Sequence, residues 1–148
     1  MTADKTLSLD HQLCFALYAA SNAMTRLYRD RLEPLGLTYP QYLVMLILWE
    51  QDGLAIKTLG ERLHLDSGTL TPMLKRMEQA GLVARSRDPA DERQVTIRLT
   101  PQGRALEAQV AAIQRDLSCL LPLEPKDIAR LRAELRGLAA GLIARDSD

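Results

Sequence analysis

Apolar residues recur along this chain with two different periods, and the order of those periods predicts its architecture. Between residues 8 and 32, Leu13, Leu17, Ala20, Met24 and Leu27 return every three or four positions and share one helical face. Ser8 or Asp10 stands where it can cap that helix, and Glu33-Pro34-Leu35-Gly36 ends it. Thr38 opens a second helix through Tyr42, Leu43, Met45, Leu46 and Trp49, with Pro40 acceptable in its first turn. A short extended piece, Ala55-Ile56, comes next. A short helix follows, capped by Thr58 and carrying Leu59 and Leu63, then a turn at Leu65-Asp66-Ser67-Gly68. A third helix runs from about Ser67 to Gln79 with Leu70, Leu74 and Met77 on one face. Past Ala80-Gly81 the period drops to two. Segments 82–87 and 94–99 read as strands, the second with Val95, Ile97 and Leu99 inward and Thr96 and Arg98 outward. The last third returns to helices. One carries Leu106, Val110, Ile113, Leu117 and Leu120; the other, beyond the break at 122–125, carries Ile128, Leu131, Leu135, Leu138 and Leu142.

Two short helices joined by a turn, then a ribbon with a charged tip, form a winged helix-turn-helix plan. The expected fold is mainly α with a small β ribbon. A chain of 148 residues, 47% of them apolar, suits one soluble domain over 1–148. No apolar run reaches the ~20 residues of a membrane span, and the first ten residues lack the basic and apolar regions of a secretion signal. The expected location is the cytoplasm, with no membrane contact.

Net charge is zero, but its distribution is uneven. Residues 56–104 hold nine basic and six acidic side chains, a net of +3, while residues 1–55 and 105–148 carry −2 and −1. The basic centre coincides with the helix-turn-helix and ribbon, where a nucleic-acid footprint belongs. A helix entering the major groove must offer small polar and basic side chains. Ser67, Thr69, Thr71 and Pro72 supply the first turns, and Lys75 and Arg76 follow within reach of phosphates. The Ser/Thr cluster also suits helix capping, and for Ser67 both roles can hold. Arg85, Arg87 and Arg93 lie on or beside the ribbon, and an arginine at its tip suits the narrow minor groove. Aromatic residues are only 4% of the chain, which does not support a stacking platform for single strands.

These segments resemble the MarR family of regulators. The run Asp88-Pro89-Ala90-Asp91-Glu92-Arg93 is similar to the family's D-P-x-D-x-R wing signature, and stretch 65–76 looks like its recognition helix. The resemblance covers about residues 8–144. It implies an intertwined homodimer with dimerisation helices at about 8–32 and 101–145 and a DNA-reading part at about 55–100. It also implies that Asp91 orients Arg93. A dimer reads an inverted-repeat operator in double-stranded DNA, with half-sites about one helical turn apart.

Only two cysteines occur, Cys14 and Cys119, and in a reducing compartment they begin as thiols. Cys14 stands near the start of the first helix, where amide dipoles favour a thiolate, the form that attacks peroxides. A buried apolar role is the alternative for each cysteine. Residues 12–18 and 37–46 are similar to the organic hydroperoxide resistance regulator subgroup, OhrR. That resemblance implies that Cys14 is the peroxide sensor, that Tyr28 and Tyr39 hydrogen-bond its sulfur, and that Cys119 resolves it as a disulfide. The effector is then an organic hydroperoxide, with no cofactor or metal. Cys14 and Tyr28 are fourteen residues apart on one predicted helix, roughly 21 Å, so a Tyr28 that touches the thiol belongs to the other subunit. The rival readings are a regulator answering to a small aromatic ligand or to a metal at His11 and Cys14, and a thiol peroxidase. The chain lacks a C-x-x-C motif and an acid/base constellation for the last, so a non-enzymatic sensor is expected.

Overall fold

The computed structural model describes residues 5–91 and 93–147. Two short 3-10 turns, Lys5–Leu7 and Leu9–His11, precede α1 (Leu13–Leu32). The first helix therefore starts five residues later than its apolar period suggested, and neither Ser8 nor Asp10 caps it. The reason is local. Gln12 is extended (φ −90°, ψ 115°) and its side-chain amide donates back to the carbonyls of Thr6 and Ser8. The Ser8 hydroxyl donates to the Lys5 carbonyl.

Helix α2 (Tyr39–Glu50) begins with a full capping box. The Thr38 hydroxyl accepts from the Gln41 amide, and the Gln41 side chain accepts from the Thr38 amide. The short strand β1 (Leu54–Ala55) leads directly into α3 (Ile56–Leu63). Ala55 is the N-cap of α3, not Thr58. Pairing of Ala55 with Thr96 keeps Ala55 extended, so the helix begins at the next residue. Helix α3 closes at His64, whose φ of 57° is left-handed, and Leu65 donates to the Gly60 carbonyl. Helix α4 (Ser67–Gln79) is capped by Asp66, whose Oδ1 accepts from the Thr69 amide at 2.7 Å. Ser67 is thus the first helical residue and not the cap.

Strands β2 (Val83–Arg87) and β3 (Val95–Leu99) pair antiparallel from Val83↔Leu99 to Arg87↔Val95. The sequence predicted a two-stranded ribbon; β1 adds a third strand through Leu54↔Ile97, giving the order β1-β3-β2. Helices α5 (Pro101–Leu120) and α6 (Pro125–Asp146) complete the chain. Thr100 starts α5, its hydroxyl accepting from the Gly103 amide.

The chain forms two compact units that divide between Leu117 and Ser118. The core of the first unit is built around α2, which is apolar on most sides and so must be central. Val44, Met45 and Leu48 meet Leu32, Leu59, Leu70, Leu74, Met77, Val83 and Ile97, all essentially inaccessible. The stripe of α5 is largely buried through Leu106, Val110 and Leu117, whereas those of α1 and α6 lie largely open. Leu13 and Met24 on α1 are 62% and 42% exposed. Helix α6 buries no residue, and its Leu131, Leu135, Leu142 and Ile143 are exposed.

Candidate nucleic-acid interface and thiol site

Helix α4 buries Leu70, Met73, Leu74 and Met77. At 100° per residue, the opposite line runs through Gly68, Pro72, Lys75 and Gln79, with Thr69 and Arg76 on one flank and Ser67 and Thr71 on the other. Ser67, Thr69, Pro72, Lys75 and Arg76 are exposed and Thr71 is half-buried. The predicted polar set therefore lies on one outward-facing side. Gly68 and Gln79 share that line and were not singled out from the sequence; the helical wheel was the signal available. Pro72 withholds a donor from the Gly68 carbonyl inside the helix.

The wing tip is a compact hydrogen-bonded turn. Asp88 donates its amide to the Gln94 carbonyl at 2.9 Å, and its Oδ1 accepts from the Ala90 amide at 2.8 Å. Asp91 Oδ1 accepts from the backbone amide of Arg93 at 3.1 Å. The two residues are thus in contact, through the main chain, and Arg93 and Arg87 are exposed. Arg85 differs. It shares the face of Val83, is half-buried, and its Nε and Nη1 are buried without a hydrogen-bond partner among the described residues.

Asp52 ties the wing base to the helical core. Its Oδ1 accepts from the amides of Gly53 and Leu99, and its Oδ2 accepts from Arg104 at 2.9 Å. Nearby, the Trp49 indole donates to the Gly103 carbonyl at 3.0 Å. The end of α2, the end of β3 and the start of α5 are thereby clamped together.

Cys14 is the second residue of α1, and its side chain is exposed. The helix has no side-chain cap, because Gln12 is turned toward Thr6 and Ser8. Cys14 therefore lies in a first turn whose amides have no side-chain cap. Tyr28 lies on the same continuous helix, about 21 Å along its axis, so the two do not meet within one chain. Tyr28 instead packs with Tyr39 and Tyr42, at ring-centroid distances of 5.3 and 5.2 Å, and Tyr39 and Tyr42 stand 5.8 Å apart. The hydroxyls of Tyr28 and Tyr42 both donate to Oε1 of Gln114, each at 2.9 Å. Burial, reinforced by Tyr28, pushes the phenols of Tyr39 and Tyr42 above their ordinary value. Cys119 is exposed and lies in the second unit.

The MarR family's sequence pattern matches residues 37–95. The organic hydroperoxide resistance transcriptional regulator of Bacillus subtilis (strain 168) is 48% identical over 129 residues, 87% of this chain and 88% of that protein. The chain belongs to the MarR family. Within it, the Bacillus likeness makes it a regulator of the OhrR type. The regulator TtmR of Methylorubrum extorquens (strain PA1) is 59% identical over 107 residues, 72% of this chain, although the match spans only 55% of that longer protein. Among solved structures, AbfR of Staphylococcus epidermidis is similar in two states. Reduced AbfR bound to DNA matches with a TM-score of 0.76 at 39% identity, covering 90% of this chain and 93% of the other; its disulfide form matches at 0.66, with 40% identity and coverages of 88% and 92%. These relatives bear out the winged-helix fold. They also bear out the expectation of a transcriptional regulator and not an enzyme.

In this MarR-type regulator, sequence reasoning missed Gln114, a polar residue beside Ile113 between Val110 and Leu117. Of the four tyrosines in the first third of the sequence, Tyr28, Tyr39 and Tyr42 come together while Tyr18 is exposed. Beside that cluster, a groove of about 480 Å³ is lined by Tyr42, Leu46, Trp49, Glu50, Glu107, Val110, Ala111 and Gln114. His11 Nδ1 lies 2.6 Å from the Ser8 hydroxyl. Among the described residues, no helix is long and apolar enough to cross a membrane.

Proposed function

We propose that the chain is a cytoplasmic, homodimeric repressor that holds operator DNA and releases it when an organic hydroperoxide oxidises Cys14. The observation that carries this reading is Cys14 itself: an exposed thiol in the uncapped first turn of α1, in a chain nearly half identical to a Bacillus regulator of organic hydroperoxide resistance. The open apolar faces of α1 and α6 support a dimer, since covering them with a second copy removes exposed leucines from water. On DNA, α4 enters the major groove. Ser67, Thr69, Thr71 and Pro72 face base edges, and Lys75 and Arg76 hold phosphates. In the wing, Arg93, with Asp91 fixing its backbone, reaches the minor groove, while Arg87 and the half-buried Arg85 add charge along the ribbon.

In the sensing step, the Cys14 sulfur attacks the peroxide O–O bond and takes one oxygen, and the alcohol leaves with the proton. Sulfenic acid results: thiol plus hydroperoxide gives sulfenic acid plus alcohol. The thiol of Cys119 from the other subunit then displaces water and forms a disulfide. Tyr28, about 21 Å along α1 from its own Cys14, and Tyr39, packed against Tyr28, meet the sulfur of the other subunit. Because the two cysteines come from different chains, the bond moves helices of both and shifts the DNA-reading heads.

Non-reducing electrophoresis after one equivalent of hydroperoxide tests this. The native protein should give a dimer-sized band, absent in Cys14→Ser and in Cys119→Ser, and DNA release should be lost in Cys14→Ser. A monomer-sized band for the oxidised native protein rejects the intersubunit bond. Release by Cys14→Ser rejects the sensor.

A further inference from the structure

Three phenols stand together between α1 and α2, and two of their protons have the same owner. Tyr28 and Tyr42 each donate to Oε1 of Gln114 at 2.9 Å. A phenol carries one proton and donates it once, and a carboxamide oxygen has two lone pairs, both now filled. While Tyr28 is bonded to Gln114, its proton is withheld from any other acceptor. Packing alone does not call for an amide here. Gln114 is exposed, and a leucine would continue the apolar stripe of Val110 and Leu117. Helix α5 thus presents an acceptor to tyrosines 86 and 72 residues away in sequence.

We infer that Gln114 is a positioning residue for the thiol chemistry, holding the Tyr28 proton in competition with the Cys14 sulfur of the partner subunit. The inference rests on the sensing reading above, in which that sulfur meets Tyr28. While Gln114 keeps the proton, the sulfur lacks one donor to stabilise its charge. When the proton turns to sulfur, α5 loses a contact with α1, so the state of the thiol is felt by the helix that leads to Cys119. Freeing the proton increases the reactive anion and slightly weakens each anion as a nucleophile. With a Brønsted slope near ~0.45, a roughly tenfold gain in anion nets about threefold in rate.

The test is the second-order rate of Cys14 oxidation by cumene hydroperoxide in the full-length protein. Gln114→Leu should react about threefold faster than native. Gln114→Glu, which keeps a stronger, charged acceptor, should react at or below the native rate. In a Tyr28→Phe background, Gln114→Leu should change nothing, because the proton it would release is gone. Dimer mass and reduced-state DNA affinity confirm that each variant folds. A native rate for Gln114→Leu overturns the inference, as does an equal acceleration in the Tyr28→Phe background, which would mark a packing effect. Cys14→Ser separates the two levels. If it still releases DNA on hydroperoxide, the sensing reading falls; if it does not and Gln114→Leu behaves as native, only the role of Gln114 falls.

Discussion

Replacing Gly103 with alanine sets two effects of opposite sign against each other. Gly103 lies in the first turn of α5, and in a helix a Gly→Ala change ordinarily stabilises by roughly 0.5–1 kcal/mol. Here a Cβ would stand 2.1 Å from the Leu82 carbonyl oxygen, whereas ordinary contacts begin at 3.4 Å. The obstacle is backbone and cannot rotate away. That carbonyl also accepts from the Thr100 amide at 3.1 Å, and the Gly103 carbonyl accepts from Trp49. Moving either strand by more than an ångström disturbs these bonds. Overpacking costs about 1–3 kcal/mol, and one weakened hydrogen bond adds about 1 kcal/mol. The steric effect therefore exceeds the propensity gain, leaving a net loss of roughly 1–3 kcal/mol, or roughly 2–12 °C in Tm for a chain of this size. The assay is thermal unfolding by circular dichroism at matched protein concentration, since dimerisation makes Tm concentration-dependent. Because Leu82 immediately precedes β2, the surviving folded protein should also bind DNA less tightly through a tilted wing. A Tm equal to or above native would refute the reasoning, showing that propensity prevails and that α5 and the wing base are not in hard contact.

Two arginine- and lysine-based contacts should be separable on DNA. Lys75→Ala should weaken all sequences alike and lower the salt slope by about one unit, whereas Arg93→Ala should weaken binding substantially with the dimer intact; a base-selective loss for Lys75→Ala, or native affinity for Arg93→Ala, contradicts the assignment. Tyr42 should make stability depend on alkaline pH. Its phenol is raised above the ordinary value near 10 by burial and by Tyr28, so above that pH the unfolded chain releases a proton that the folded one keeps. Stability is complete below pH ~10 and falls above it, by up to ~1.4 kcal/mol per pH unit. Tyr42→Phe should flatten that limb in denaturant titrations, and an unchanged slope would count against the buried phenol.

Much of this protein was legible from local pattern. The order of six helices, the ribbon with its charged tip, and the outward polar face of α4 follow from periods of 3.6 and 2, because each is set by neighbours within a few residues. The Thr38 cap was readable for the same reason. What the sequence could not decide rests on contacts between distant residues. The late start of α1 depends on Gln12 folding back to Thr6 and Ser8 rather than capping. Strand β1 exists because Leu54 and Ala55 find Ile97 and Thr96, some forty residues on. Arg85 reads as a surface cation in the sequence, yet the alternation of β2 turns it to the side of Val83, where two of its nitrogens are buried. Most of all, no periodicity announces that Gln114 collects the protons of Tyr28 and Tyr42. A hydrogen bond has no sequence period; only packing α5 against α1 and α2 brings its donor and acceptor within 3 Å.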